Sequence, residues 1–281
     1  MKISEILPRA ARALADSGVP EHVRESSSLL QFVLNKDRVF LFSHPEYELT
    51  DEEMARFDDA LARRVGREPL QYITGRQEFY GLEFLVTPNV LIPRPETEML
   101  VAKSIELLGR TDSETFAEIG VGSGCISIAI LANVPHSHAV GADISAAAID
   151  VARKNAVDNN VSGRLELIES DVFAGFEPQR FDLVVSNPPY VAVIDIDGLQ
   201  PEVRGFEPHT ALTDGADGLS IIKTIIEQSP AFLVPGGNLL LEFGFGQAER
   251  VKQIFDPAVW SHMEILPDFQ DIPRMLAAVL K

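Results

Sequence analysis

The chain has 281 residues, 46% of them hydrophobic and 23% charged, with one cysteine and a formal net charge of -18 at pH 7. That length suffices for one large domain and one small one, each with its own core. The lone Cys125 excludes an intramolecular disulfide and suits a reducing cytoplasm, and no apolar stretch approaches the roughly 18 residues of a membrane span.

The acid is unevenly spread: residues 1–77 carry 11 Lys+Arg against 13 Asp+Glu, and residues 78–281 carry 13 against 29. Nucleic-acid affinity rests mainly on neutralising phosphates with Lys and Arg, so the charge of the second part weighs against a direct nucleic-acid substrate. His136 and His138 are the only close pair of histidines, and with no cysteine or carboxylate cluster nearby they read as a loop entering a strand, so no metal is expected.

Ile3, Ile6, Leu7, Ala10, Ala11 and Leu14 recur at helical spacing, which predicts an amphipathic helix to about Asp16 rather than a signal peptide. Second and third helices are expected over 21–34 and 51–65. Gly18 and Pro20 separate the first pair, Pro45 lies in the next connection, and Thr50 with Glu53 forms a capping box for the third helix. Together residues 1–77 read as a small helical bundle. Arg63, Arg64 and Arg67 cluster at its last helix end, where they meet the helix dipole and water or else dock a partner.

Residues 78–97 change pattern to a β-hairpin linker that leads into a helix starting near Glu96. Within it Arg94 and Glu96 either line a ligand pocket or belong to a surface linker. From 98 to 281 the reading is one domain of alternating strands and helices. Strands are expected at 115–120, 138–144, 164–170, 181–186 and 238–244. Helices are expected near 125–132, 145–159, 217–233 and 246–256, and a closing hairpin over 260–266 and 274–280. This predicts a doubly wound, mainly parallel α/β sheet.

In such sheets ligands bind beyond the carboxyl ends of the strands. Asn187-Pro188-Pro189-Tyr190 stands there, after the apolar strand 181–186. The two prolines stiffen the segment and remove N–H donors. Asn187, forced to extended geometry before proline, presents one acceptor and two donors to a ligand, and Tyr190 adds a flat face. This equipment suits a planar amide or amino nitrogen.

Glu118-Ile119-Gly120-Val121-Gly122-Ser123-Gly124 follows the first strand of the sheet and opens a helix, so backbone can approach a ligand closely. A dinucleotide fingerprint would need glycine at 125, where cysteine stands; the spacing fits adenosylmethionine better. Asp143 ends the next strand, where a carboxylate accepts both ribose hydroxyls or caps the following helix. Asp171 and Val172 end the third, placed to meet an adenine amino group and ring or to form an ordinary acidic turn.

With these pieces in place the chain resembles the protein-(glutamine-N5) methyltransferases that modify peptide chain release factors. The resemblance runs through 67–75, 91–98, 118–124, 186–190, 206–212 and 214–219, nearly the whole length, and IPRPETE (92–98) together with NPPY is its most specific part. It implies a seven-stranded Rossmann-like methyltransferase domain behind a small N-terminal helical substrate-recognition domain. The implied cofactor is S-adenosyl-L-methionine. The implied acceptor is the glutamine of a Gly-Gly-Gln loop in a release factor, a cytoplasmic partner. Cofactor contacts are implied for Glu118, Gly120, Val121, Gly122, Ser123, Gly124, Asp143, Asp171, Val172 and Asn187, and acceptor contacts for Asn187, Pro188, Pro189 and Tyr190. Glu118 and Val172 depart from the family, whose members often carry Asp and an aromatic there. The rival readings are glutamine methylation of a ribosomal protein and N6-adenine methylation of nucleic acid.

Overall fold

The computed structural model describes residues 1–109, 114–268 and 270–281. Contacts divide the chain into two compact units, Met1–Arg76 with Gln200–Phe206, and Gln77–Leu199 with Glu207–Lys281. Among the described residues no helix is long and apolar enough to cross a membrane.

The first unit is helical. Helix α1 (Ile3–Asp16) places Ile3, Ile6, Ala10 and Leu14 in one core with Leu29, Leu30 and Val33 of α2 (His22–Leu34). The expected third helix is preceded by a six-residue one, α3 (Arg38–Ser43). It is too short to show periodicity and is nucleated by Asp37, whose side chain accepts from Phe40 N at 2.8 Å. Helix α4 (Asp51–Val65) starts at the expected capping box, with Glu53 N donating to Thr50 Oγ1 at 3.2 Å and Thr50 N donating to Glu53 Oε2 at 2.8 Å. Phe57 and Ala60 carry its apolar face into the same core. Two short helices, α5 (Leu70–Thr74) and, far along the chain, α9 (Pro201–Phe206), complete the unit.

The arginine cluster departs from expectation. Arg64 is 3% exposed and pairs with carboxylates rather than with water: its guanidinium meets Glu25 and donates from Nη1 to Glu202 Oε1 at 3.0 Å. Arg67 makes a two-pronged pair with Glu202 at 2.8 and 2.7 Å, and Arg63 makes one with Glu68 at 2.9 and 2.6 Å. All three serve internal ion pairs.

The second unit begins at Gln77, within the hairpin of β1 (Arg76–Phe79) and β2 (Leu82–Leu85), turned by Tyr80 and Gly81, both at positive φ as a tight two-residue turn requires. A 3-10 turn over Pro95–Thr97 precedes α6 (Glu98–Leu108), so the helix starts two residues later than the sequence suggests. There follow β3 (Thr115–Ile119), α7 (Cys125–Asn133), β4 (His138–Asp143), α8 (Ala146–Asp158), β5 (Leu165–Glu169) and β6 (Phe181–Ser186). After a short helix α10 (His209–Leu212) come α11 (Ser220–Gln228), β7 (Leu233–Glu242), α12 (Ala248–Lys252), β8 (Trp260–Pro267) and β9 (Pro273–Leu280).

The main sheet has seven strands in the order β5-β4-β3-β6-β7-β9-β8, parallel except for the β9 pairings. This is the Rossmann-like arrangement with a closing antiparallel hairpin. Period-two alternation feeds two cores. Ala117, Val184, Leu239 and Leu241 face one with Ile222 and Ile225 of α11. Phe116, Leu183, Val185 and Leu240 face the other with Leu100 of α6 and Ile128 of α7. The run from 187 to 212, without strong periodicity, holds a 3-10 stretch (Val193–Gly198) and short helices.

Candidate active site

Strand order reverses between β3 and β6, which are parallel neighbours with Ile119 opposite Ser186. Both chains leave the sheet at that point, one into the glycine turn and the other into Asn187. A crevice opens wherever neighbouring strands send their connections to opposite faces. A cavity of about 340 Å³ occupies it.

The structure brings most of the expected residues to this cavity. Glu118, Gly120, Val121, Gly122, Ser123, Asp143, Asp171, Val172, Asn187 and Pro189 line it. Gly124, Pro188 and Tyr190 do not. Gly124 has a packing reason: at φ +82° it caps α7, and a Cβ there would stand 2.9 Å from Ile128 Cδ1 and 3.3 Å from Ala152 Cβ, so the glycine lets α7 and α8 approach. Tyr190 packs against the core of the sheet, and its hydroxyl donates to Glu242 Oε1 at 3.1 Å.

Several of the polar lining groups are held by partners. Asp143 Oδ2 accepts from Gly122 N at 2.8 Å and its Oδ1 from Ser145 N at 2.9 Å, tying the glycine turn to the end of β4. Burial pushes its carboxyl up, against the pull of those donors. Glu118 is fully buried and accepts from both the backbone N–H, at 2.9 Å, and the hydroxyl of Ser127. Burial pushes it up to about 8. Val172, a β-branched residue at φ +49°, is held there with Ser170 Oγ donating to its carbonyl at 3.0 Å; backbone strain of this kind persists where the surroundings over-determine it.

Several lining or supporting residues escape the sequence reading. Ile144, 61% exposed although large and apolar, lines the cavity beside Asp143. In the sequence the available signal is an apolar residue immediately after the expected ribose carboxylate at the strand end. Of the two residues left open in the linker, Arg94 lines the cavity and pairs with the buried Glu207, whereas Glu96 is exposed and does not. Thr97 is 2% exposed. Its Oγ1 donates to Glu242 Oε2 at 2.8 Å and accepts from Asn187 Nδ2 at 3.0 Å. Glu242 ends β7, is 5% exposed, and is pushed by burial up to about 7.

The loop 214–219 supports the tetrapeptide from outside. Asp214 accepts from Ala216 N at 2.8 Å, Gly218 N at 3.0 Å and Ser220 N at 2.7 Å. Burial raises its carboxyl, but these donors outweigh that and hold it low. Gln247 clamps the same region, donating to the Tyr190 carbonyl at 2.9 Å while accepting from Gly244 N at 2.7 Å.

Residues 5–75 match the PrmC N-terminal domain model, and residues 97–198 match the methyltransferase small domain model. The fold is also that of the hMettl16 catalytic domain solved with an RNA hairpin (TM-score 0.59, 17% identity, 82% of each chain). A methyltransferase from Pyrococcus furiosus is a further structural neighbour (TM-score 0.54, 16% identity, 82% of this chain and 98% of that one). Sheet order, crevice and glycine turn define a methyltransferase of the Rossmann-like class.

Among curated proteins, the release factor glutamine methyltransferase of Koribacter versatilis is 41% identical over 277 residues, 98% of either chain. That of Geobacter sulfurreducens is 44% identical over 253 residues, 90% of this chain and 88% of the relative. The chain belongs to the release factor glutamine methyltransferase family. Family and fold imply the use of S-adenosylmethionine, and the cavity fits it: glycine backbone at Gly120 and Gly122, a carboxylate at Asp143, apolar walls at Ile144 and Val172, and a buried carboxyl at Glu118 beside the ligand space.

Proposed function

We propose that this chain transfers the methyl group of S-adenosyl-L-methionine to the side-chain amide nitrogen, N5, of the glutamine in the Gly-Gly-Gln loop of a peptide chain release factor. The observation that carries this reading is the orientation of Asn187. It stands at the strand end beside the glycine turn with its NH₂ group committed to Thr97, so its Oδ1 is the group left for a ligand in the cavity it lines. The full-length likeness to proteins named for this activity supports the choice of acceptor.

Bound S-adenosylmethionine supplies a methyl carbon made electrophilic by its sulfonium. The residues of the chain bind and orient. Asp143 accepts the ribose hydroxyls, Asp171 the adenine amino group, and Val172 with Ile144 flank the ring, while Gly120 to Ser123 let backbone come close. Glu118 offers its buried carboxyl to the positively charged end of the cofactor.

An amide nitrogen is a weak nucleophile because its lone pair is delocalised into the carbonyl, so positioning must do much of the work. Asn187 Oδ1 accepts one of the two amide hydrogens, fixes the nitrogen, and stabilises the positive charge that develops on it; the Pro188 carbonyl, expected to take the other hydrogen, is not among the groups that line the cavity. Good orientation of this kind is worth ~7–11 kcal/mol of barrier, so no metal or covalent nucleophile is required. The acid excess of residues 78–281 favours a protein acceptor over nucleic acid, and a lone cysteine and a translation-factor substrate fit the cytoplasm.

The test supplies labelled S-adenosylmethionine with purified release factor, its Gly-Gly-Gln glutamine-to-alanine version, a ribosomal protein fraction and DNA. Label is expected on the intact release factor alone. Label that survives the glutamine-to-alanine change, or that appears instead on ribosomal protein or DNA, overturns the reading.

A further inference from the structure

Asn187 can serve an amide nitrogen only if its carbonyl end, and not its NH₂ end, faces the cavity. An asparagine side chain is nearly symmetric in shape, so packing alone does not choose between the two ends; hydrogen bonds must. The choice is made two hydrogen bonds away, at Glu242 on the end of β7.

We propose that Glu242 acts through Thr97 as the positioning residue that sets which end of the Asn187 amide is presented to the acceptor, an inference that rests on the methyl-transfer reading above. The number of protons available fixes the direction of each hydrogen bond. An ionised carboxylate only accepts, and Glu242 accepts at both oxygens, from Thr97 Oγ1 at 2.8 Å and from the Tyr190 hydroxyl at 3.1 Å. The threonine hydroxyl has one proton, and it is spent on Glu242. Towards Asn187 it therefore offers only a lone pair, which the NH₂ group fills at 3.0 Å. Oδ1 is left for the cavity.

Adding one proton to Glu242 reverses the chain. Tyr190 still donates to Oε1, because burial, the main cause that holds its phenol well above the ordinary range, persists when Glu242 is neutral. The new proton therefore sits on Oε2 and donates to Thr97. The threonine proton then points to Asn187, which turns its oxygen to receive it. The cavity now meets an NH₂ donor where the acceptor's own N–H groups need an oxygen.

Other groups bear on Glu242. Arg274 favours the carboxylate, while Glu96 and the burial of the site oppose it, and Cys125, held as a thiol at about 12, feels the same charge. The balance leaves Glu242 at about 7, so the chain of hydrogen bonds switches within the range of ordinary assays.

Three substitutions separate this from a merely structural role. Thr97→Val keeps the shape and removes the relay. Thr97→Ser keeps the hydroxyl. Glu242→Gln turns its oxygen to Tyr190 and its NH₂ to Thr97, which mimics the protonated carboxyl. With release factor as acceptor, Thr97→Val and Glu242→Gln are expected to lower kcat at least 30-fold while the Kd for S-adenosylmethionine stays within about threefold, and Thr97→Ser to recover most of the Thr97→Val loss. Wild-type kcat should rise with pH through an ionisation near 7. Glu242→Gln should be flat across that limb.

The inference is overturned if either variant, folded by circular dichroism, turns over at the wild-type rate, or if the acid limb persists in Glu242→Gln. A second readout needs no acceptor. The Asn187 side-chain amide followed by 15N NMR in the free protein should shift with pH near 7 in the wild type and not in Glu242→Gln. A pH-independent wild-type signal sinks the relay. Wild-type protein that shows the NMR transition but does not methylate release factor overturns the functional reading alone.

Discussion

A Cβ placed on Gly218 would stand 2.1 Å from the carbonyl oxygen of Tyr190, with the Gln247 amide nitrogen 3.0 Å away on another side. Gly218 sits at φ +78° in the loop organised by Asp214, so the last residue of the Asn-Pro-Pro-Tyr segment is pressed against bare backbone and clamped by Gln247. The geometry of the Asn-Pro-Pro-Tyr segment thus depends on a residue outside it.

Gly218→Ala should therefore disturb both fold and turnover. The left-handed conformation costs about 1–2 kcal/mol for a side chain, and the backbone collision adds roughly 1–3 kcal/mol of overpacking. Gly215, at the same φ of +78° but with nothing within 4 Å of its Cβ position, pays only the first cost. Thermal unfolding and methyl transfer of the two alanine variants side by side check this. Equal losses would mean that the contact with Tyr190 is not felt.

Asp143→Ala should weaken cofactor binding about 10- to 100-fold by calorimetry, since a hydrogen bond to a charged group contributes about 1.5–3 kcal/mol and each 1.4 is tenfold. The loss has two sources, the missing acceptor for the ligand and the release of the Gly122 and Ser145 N–H groups that Asp143 holds at 2.8 and 2.9 Å. Asp143→Asn, which keeps one acceptor, should fall between. Unchanged affinity would remove Asp143 from the cofactor site.

Glu118 makes stability depend on pH. Its value in the fold, about 8, lies above the ordinary 4.5, so its contribution is fully present below about pH 4.5 and is lost as pH rises through about 8. The melting temperature should fall across that window. Glu118→Gln, whose side-chain oxygen still accepts from Ser127, should flatten much of the fall, a difference on the order of 5 kcal/mol between the two ends. Some slope should remain from Glu242, at about 7. A wild-type melting curve that rises with pH would contradict the assignment.

In the helical unit, Arg64→Ala should cost about 3–5 kcal/mol in chemical denaturation, because it strands the Glu25 carboxylate and weakens the hold on Glu202. Arg9 also meets a carboxylate, Asp58 at 2.6 Å, but both side chains are about half exposed. Arg9→Ala should cost under roughly 1 kcal/mol. Similar costs for the two arginines would show that burial is not what gives the Arg64 pairs their weight.

Much of the site is legible in sequence because it is local. A buried strand followed at once by Asn187-Pro188, and another followed by Gly120-x-Gly122, each state in a few consecutive residues that the chain leaves a sheet and what it presents there. The capping box at Thr50 and Glu53 is local in the same way, and all these elements lie where the reading puts them. The arginines at 63, 64 and 67 read wrongly because their carboxylates do not all lie nearby. Glu68 is five residues from Arg63, but Glu202 is 138 residues from Arg64 and 135 from Arg67.

Sequence alone thus determined the strand ends, the glycine turn and the identity of Asn187, since backbone conformation answers to near neighbours. Only the tertiary structure decided what holds the Asn187 side chain, whose Nδ2 donates to Thr97 Oγ1. Thr97 lies 90 residues from it and Glu242 145 residues from Thr97, and they meet because the strand order sets β7 beside β6 with α6 packed across both. A hydrogen bond has direction, and that direction is set by where the proton of a distant carboxyl resides.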